Sequence, residues 1–84
     1  MRKTSLLAYN QILDSLGRRQ KIVFDIIEDL GPLNNRQIST ILNIPINSIT
    51  PRVNELVKRK VVKEAYTDKD RISNRLSIYW KVNR

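Results

Sequence analysis

Residues 36–60 read RQISTILNIPINSITPRVNELVKRK, and the reading of this stretch decides the fold. Ile38, Ile41 and Leu42 recur at helical spacing, which predicts a short helix over 36–42 with one apolar side. Asn34, followed three residues later by Gln37, has the form of a capping box at its start. Asn43-Ile44-Pro45 then breaks the helix. Asn tolerates positive φ and can make the tight turn where Gly is the usual choice. A second helix is expected over 47–59, with Ile49, Val53, Leu56 and Val57 as its apolar stripe. Pro51 fits if Asn47 or Ser48 is the cap, because the first amides of a helix have no intrahelical partner to lose.

Downstream the period changes from 3.6 to 2. Residues 61–66 are rich in β-formers, and in 76–82 Leu76, Ile78, Trp80 and Val82 alternate with Ser77, Tyr79 and Lys81. That pattern predicts a strand with one face in the core, joined to its partner by a polar loop over 67–75. Upstream, Ile22, Val23, Ile26, Ile27 and Leu30 give a broad apolar face to a helix over 18–30, ended by Gly31-Pro32. A first helix is expected over 5–16, capped by Thr4 or Ser5, with Leu6, Tyr9, Ile12, Leu13 and Leu16 on one stripe. Gly17 is expected to stop it in a left-handed conformation. The order is helix, helix, short helix, turn, helix, hairpin: mainly α with a small two-stranded β-hairpin, which is a winged helix-turn-helix layout.

Composition narrows the chemistry. The 84 residues contain neither cysteine nor histidine. Disulfides, zinc fingers and His-based catalysis are thereby excluded. The acidic residues sit singly on helix faces and in the loop, so the expectation is no enzyme, no cofactor and no metal. Asp68 and Asp70 read as turn chemistry, since the spacing after them fails the calcium-loop pattern. No apolar run approaches the ~18 residues of a membrane helix. Leu6-Leu7-Ala8 is too short for a signal sequence core. A soluble cytoplasmic protein without a membrane partner is expected, in the host cytoplasm if the source is viral.

The net charge is +8. Residues 1–45 carry six basic and four acidic residues, whereas 46–84 carry ten and four. A cationic C-terminal half points to a polyanionic partner. At 100° per residue, burying Ile49, Val53 and Leu56 turns Asn47, Pro51, Asn54 and Lys58 outward, flanked by Ser48, Thr50, Arg52 and Glu55. Asn bonds adenine bidentately and Arg bonds guanine likewise. The candidates for base edges are therefore Asn47, Ser48, Thr50, Pro51, Arg52 and Asn54. Asn47 and Ser48 can equally serve as caps. Glu55 reads as a partner of Arg59 or Arg52. The candidates for the phosphate backbone are Arg36, Lys58, Arg59, Lys60, Lys63 and, on the loop, Lys69, Arg71 and Arg75. Tyr79 and Trp80 read as packing residues.

Arg36-Gln37-Ile38-Ser39-Thr40-Ile41-Leu42-Asn43-Ile44 resembles the R-x-I-A-x-x-L-G-I helix of winged helix regulators. The segment from Ile46 to Leu56 resembles the recognition helix of small phage-encoded and MarR-like proteins. The likeness covers residues 18–84. Asn43 stands where the turn Gly is usual, and Lys60 where a Gly usually ends the recognition helix; Lys in a left-handed conformation would cost about 1 kcal/mol. The resemblance implies a sequence-specific binder of double-stranded DNA, a transcription or replication regulator. On this reading 1–84 form one winged helix domain, with a helical extension over 1–17, a helical core over 18–60 holding the helix-turn-helix at 35–60, and a wing over 61–84. Many such proteins bind as dimers; the N-terminal helix either supplies a homodimer contact through Leu6, Leu7 or Tyr9 or covers the core. The competing expectation is an adaptor that binds another protein.

Overall fold

A computed structural model describes the backbone of residues 3–84 and the side chains of residues 8–84. Four helices, α1 (Lys3–Asp14), α2 (Arg18–Leu30), α3 (Asn35–Leu42) and α4 (Ile46–Lys58), precede an antiparallel hairpin of β1 (Val62–Lys69) and β2 (Leu76–Val82). This is the mainly helical winged helix arrangement. On its other edge β2 meets Leu33, whose N–H and C=O both bond Trp80, at 3.1 and 2.8 Å, tying the hairpin to the segment between α2 and α3.

The core forms where the apolar stripes meet. Val23, Phe24 and Ile27 of α2, Ile38 of α3, and Ile49, Val53 and Leu56 of α4 are buried together with Leu33, Val61 and Val62. Tyr9, Ile12, Leu13 and Leu16 from α1 and its C-terminal end pack half-buried against this cluster. Side chains of Leu6 and Leu7 lie outside the described residues.

Local chemistry sets the boundaries. The capping box forms as the sequence suggests: Asn34 Oδ1 accepts from Gln37 N–H at 2.8 Å, and Asn34 N–H donates to Gln37 Oε1 at 3.0 Å. Asn43 takes the left-handed conformation, φ 54°, at the turn. Lys60 does the same beyond α4, φ 64°. Its N–H donates to Val57 O at 2.9 Å and Val61 N–H to Leu56 O at 3.2 Å, a Schellman motif with lysine at the left-handed position.

Four expectations are corrected. Thr4 and Ser5 lie inside α1, which already includes Lys3, rather than ahead of it. Gly17 is extended, φ −66°, and serves as the N-cap of α2; its N–H is held by Gln20 Oε1 at 3.0 Å. α4 begins at Ile46 with Pro45 as N-cap, so neither Asn47 nor Ser48 caps it. Ser48 N–H and Ile49 N–H both donate to Pro45 O, and Pro51 falls in the second turn. There its missing N–H takes from the Asn47 carbonyl its regular i+4 partner. The reason is that Pro45, with φ near −55°, already has the extended geometry of a cap and starts the helix two residues early.

The fourth correction concerns β2. Trp80 and Val82 pack against the core, but Leu76 and Ile78 are 77% and 40% exposed, while Tyr79 on the opposite face is 8% exposed. Of the side chains on the Leu76 face, only Trp80 and Val82, at the end of β2 away from the turn, reach the cluster. The outer rungs of the ladder therefore have no core to cover them. A bulge between Glu64 and Tyr66 shifts the register, so that Tyr66 faces Tyr79 and the two rings stack at 4.8 Å. β1 runs on to Lys69, which shortens the connecting turn to 70–75.

Candidate nucleic-acid interface

α4 is fixed by its buried side, and what is left free follows. Ile49, Val53 and Leu56 are wholly buried, and Asn47, Pro51, Asn54 and Lys58 are exposed on the opposite side. Ser48, Thr50 and Arg52 are half-buried along the flanks. Thr50 Oγ1 accepts from Asn35 Nδ2 at 3.3 Å, which ties this flank to the start of α3.

Arg52 is already engaged. Its Nε and a terminal nitrogen bond the two oxygens of Glu55 at 2.8 and 3.0 Å, and Gln20 Nε2 reaches the same carboxylate at 3.0 Å. The Gln20 and Arg52 donors hold the Glu55 carboxyl below its ordinary pKa. Together these three side chains link α4 to the start of α2, where Arg18 and Arg19 line the same shallow groove. Glu55 thus pairs with Arg52 rather than Arg59. The guanidinium of Arg59 instead donates to Ser15 Oγ.

The wing's turn is organised by Asp70, 2% exposed. Its N–H donates to Arg75 O and its C=O accepts from Asn74 N–H, each at 2.8 Å. Its carboxylate accepts from Ser73 Oγ at 3.1 Å and from two nitrogens of Arg36, Nε and, at 3.1 Å, a terminal one. The Arg36 guanidinium, more than the Ile72 N–H and Ser73 hydroxyl, pulls the Asp70 carboxyl down to about 2, overcoming the burial that opposes it. Asp70 in turn raises the Arg36 pKa further above its ordinary value. Arg36, at the second position of α3, is 29% exposed and has two of its nitrogens committed to the wing. In the sequence the two residues stand apart, Arg36 as a phosphate ligand and Asp70 as turn chemistry. Their separation of 34 positions left no local signal that they pair.

Lys69, Arg71 and Arg75 are all exposed around this turn. A groove lined by Asn35, Arg36 and Ile46 on one side and by Ser73, Arg75 and Ser77 on the other places the wing beside the N-terminal ends of α3 and α4. Lys58 and Lys60 are exposed at the far end of α4. Lys63 stands directly opposite Lys81 in the ladder. Like charges in that position are mutually destabilising. The sequence marks Lys81 only as an outward position of the strand, because its pairing with Lys63 depends on the bulge.

Among the described residues no group of three or more His, Cys, Asp or Glu side chains is placed to hold a metal, and no helix is long and apolar enough to cross a membrane. No protein-family model and no curated protein matches the chain. Among solved structures it is similar to a ROK family transcriptional regulator, a homologue of the E. coli MLC protein, with a TM-score of 0.61 and 20% identity over 77% of this chain. The match spans 16% of that regulator's length, and at this identity the likeness is one of fold.

Proposed function

We propose that this chain binds duplex DNA as the reading module of a regulator, with the outer side of α4 in the major groove and the wing on the adjoining backbone or minor groove. The single observation that carries the reading is the common exposure of Asn47, Pro51, Asn54 and Lys58 on α4, with Arg75 of the wing in one groove with Ile46 at the start of that helix and Lys69 and Arg71 beside the start of α3. Donor-acceptor side chains on the first turns suit base edges, and cations at the helix end and on the wing suit phosphates. Of the base-edge candidates, Asn47 and Asn54 have the freest side chains. Arg52 can contribute only by leaving Glu55, and Ser48 and Thr50 lie at the margin. The opposed Lys63 and Lys81 favour the same class of partner, since a polyanion relieves their repulsion. On this reading the molecule is a non-enzymatic, cytoplasmic binder that acts in transcription or replication control, and α1 offers a surface through which two copies pair on paired half-sites.

A second reading, docking to another protein, draws on the apolar side chains at the wing's outer end, Ile72 (75% exposed) and Leu76. Salt titration separates the two. Contact with about five phosphates gives a slope of log affinity against log salt of about −4 to −5. Negligible affinity for any duplex at low salt would reject DNA binding in favour of the adaptor.

A further inference from the structure

We infer that Arg36 and Asp70 form a latch that sets the wing for DNA binding, Asp70 acting as a positioning residue that itself touches no DNA. This rests on the proposed duplex binding. At the wing's outer end Ile72, Leu76 and Ile78 are exposed, so on that face burial does not fix the wing's direction, although Tyr79 on the other face is buried. What joins the turn to the helix-turn-helix is the two-nitrogen pairing of Arg36, at the start of α3, with the buried carboxylate of Asp70. Asp70 also closes the turn through Arg75 O, Asn74 N–H and Ser73 Oγ. One residue therefore shapes the loop that carries Arg71 and Arg75, its backbone bonding Arg75 and Asn74 and its carboxylate bonding Ser73, and the same carboxylate ties that loop to the element leading into α4. The planar fork of arginine matches a carboxylate on two points and so restrains angle as well as distance.

The inference has an electrostatic signature that separates it from simpler accounts. Asp70→Asn adds one unit to a net charge of +8. If Asp70 only dilutes the positive field, or if Arg36 is itself a phosphate ligand restrained by Asp70, removing that charge tightens DNA binding. A latch predicts the opposite. With the wing free, its share of phosphate contacts is lost, and up to three cations are worth about 0.9 slope units each.

The experiment measures duplex affinity against salt for the wild type, Asp70→Asn, Arg36→Lys and the Arg36→Gln/Asp70→Asn double variant beside Arg36→Gln, with thermal unfolding as a check on folding. The latch predicts that Asp70→Asn binds about tenfold more weakly with a slope shallower by one to three units. Arg36→Lys, which keeps the charge but not the fork, should fall in the same direction and keeps the test open if Asp70→Asn does not fold. Adding Asp70→Asn to Arg36→Gln should cost nothing further. In the free proteins, amide relaxation of residues 71–75 should show the turn more mobile in all three single variants than in the wild type. An Asp70→Asn protein that binds as tightly as the wild type, or more tightly, overturns the latch. A wild type without duplex affinity overturns the DNA reading instead, and the pair's role in it.

Discussion

Lys60 stands at the left-handed position of the Schellman motif that ends α4, with φ 64°. For a residue with a Cβ that conformation costs about 1–2 kcal/mol. Lys60→Gly removes this cost but gives the unfolded chain more freedom, which returns about 0.4–1 kcal/mol. The net expectation is a gain of about 0.5–1 kcal/mol, or a rise in Tm of about 2–8 °C for a domain of this size. The lysine side chain is exposed, so its removal disturbs no packing. The backbone is held independently by Val57 O, and by Asn83, whose Nδ2 donates to Lys60 O at 2.8 Å. Thermal unfolding by circular dichroism measures the change, and Lys60→Ala is the control, because it deletes the charge and keeps the unfavourable φ. Both variants should lose the same DNA affinity if the ammonium meets a phosphate. A Lys60→Gly protein that melts no higher than Lys60→Ala would refute the claim that conformational cost resides at this position.

Leu56→Ala should destabilise the fold by about 2–5 kcal/mol, measured by urea unfolding, because the side chain is wholly buried between α4 and the rest of the core. Asn54→Ala should cost about 1–3 kcal/mol on a preferred duplex selected from random sequence and little on random DNA, whereas Lys58→Ala should weaken both and shallow the salt slope by about one unit. Equal losses for Asn54→Ala on both duplexes would move Asn54 from base edge to backbone. The Asp70 carboxyl lies at about 2 in the folded protein against an ordinary 3.8. A depressed value means its stabilising contribution is fully present above pH ~4 and disappears as the pH falls through about 2. Acid titration followed by circular dichroism should therefore show this part of the stability loss missing in Asp70→Asn; an unchanged profile between pH 4 and 2 would mean the pair does not stabilise the fold.

Most of the fold was legible because its signals are local. The Asn34–Gln37 box, the positive φ of Asn43 and the stripes of α2 and α4 each depend on residues within a turn or two of one another. The errors share a cause as well. Pro51 and Gly17 follow the habit of their residue types, Pro51 as a marker of a helix start and Gly17 as a stop, whereas the cap of α4 is Pro45 and Gly17 opens α2 instead of closing α1. The alternation in β2 was sound, but alternation says which side chains share a face and not whether anything covers that face. The candidate interface divides in the same way. Outward positions on α4 followed from helical angle alone. The engagement of Arg52 by Glu55 was accessible at three-residue spacing, but Gln20 lies 35 positions from Glu55 and Arg36 lies 34 from Asp70, distances over which composition and period carry no information.

The bulge at Ala65 has a consequence for how molecules of this protein meet. In a two-stranded sheet β2 is already met by Leu33, so β1 carries the open margin with its unused peptide groups. An uninterrupted margin of that kind invites a neighbouring chain to zip onto it. Here the displaced residue breaks the run after three rungs, and Lys63, Glu64, Asp68 and Lys69 surround the remainder with charge. Self-association through wing edges is thereby discouraged, and a concentrated solution of the protein is guarded against fibrous stacking by the same irregularity that aligns Tyr66 with Tyr79.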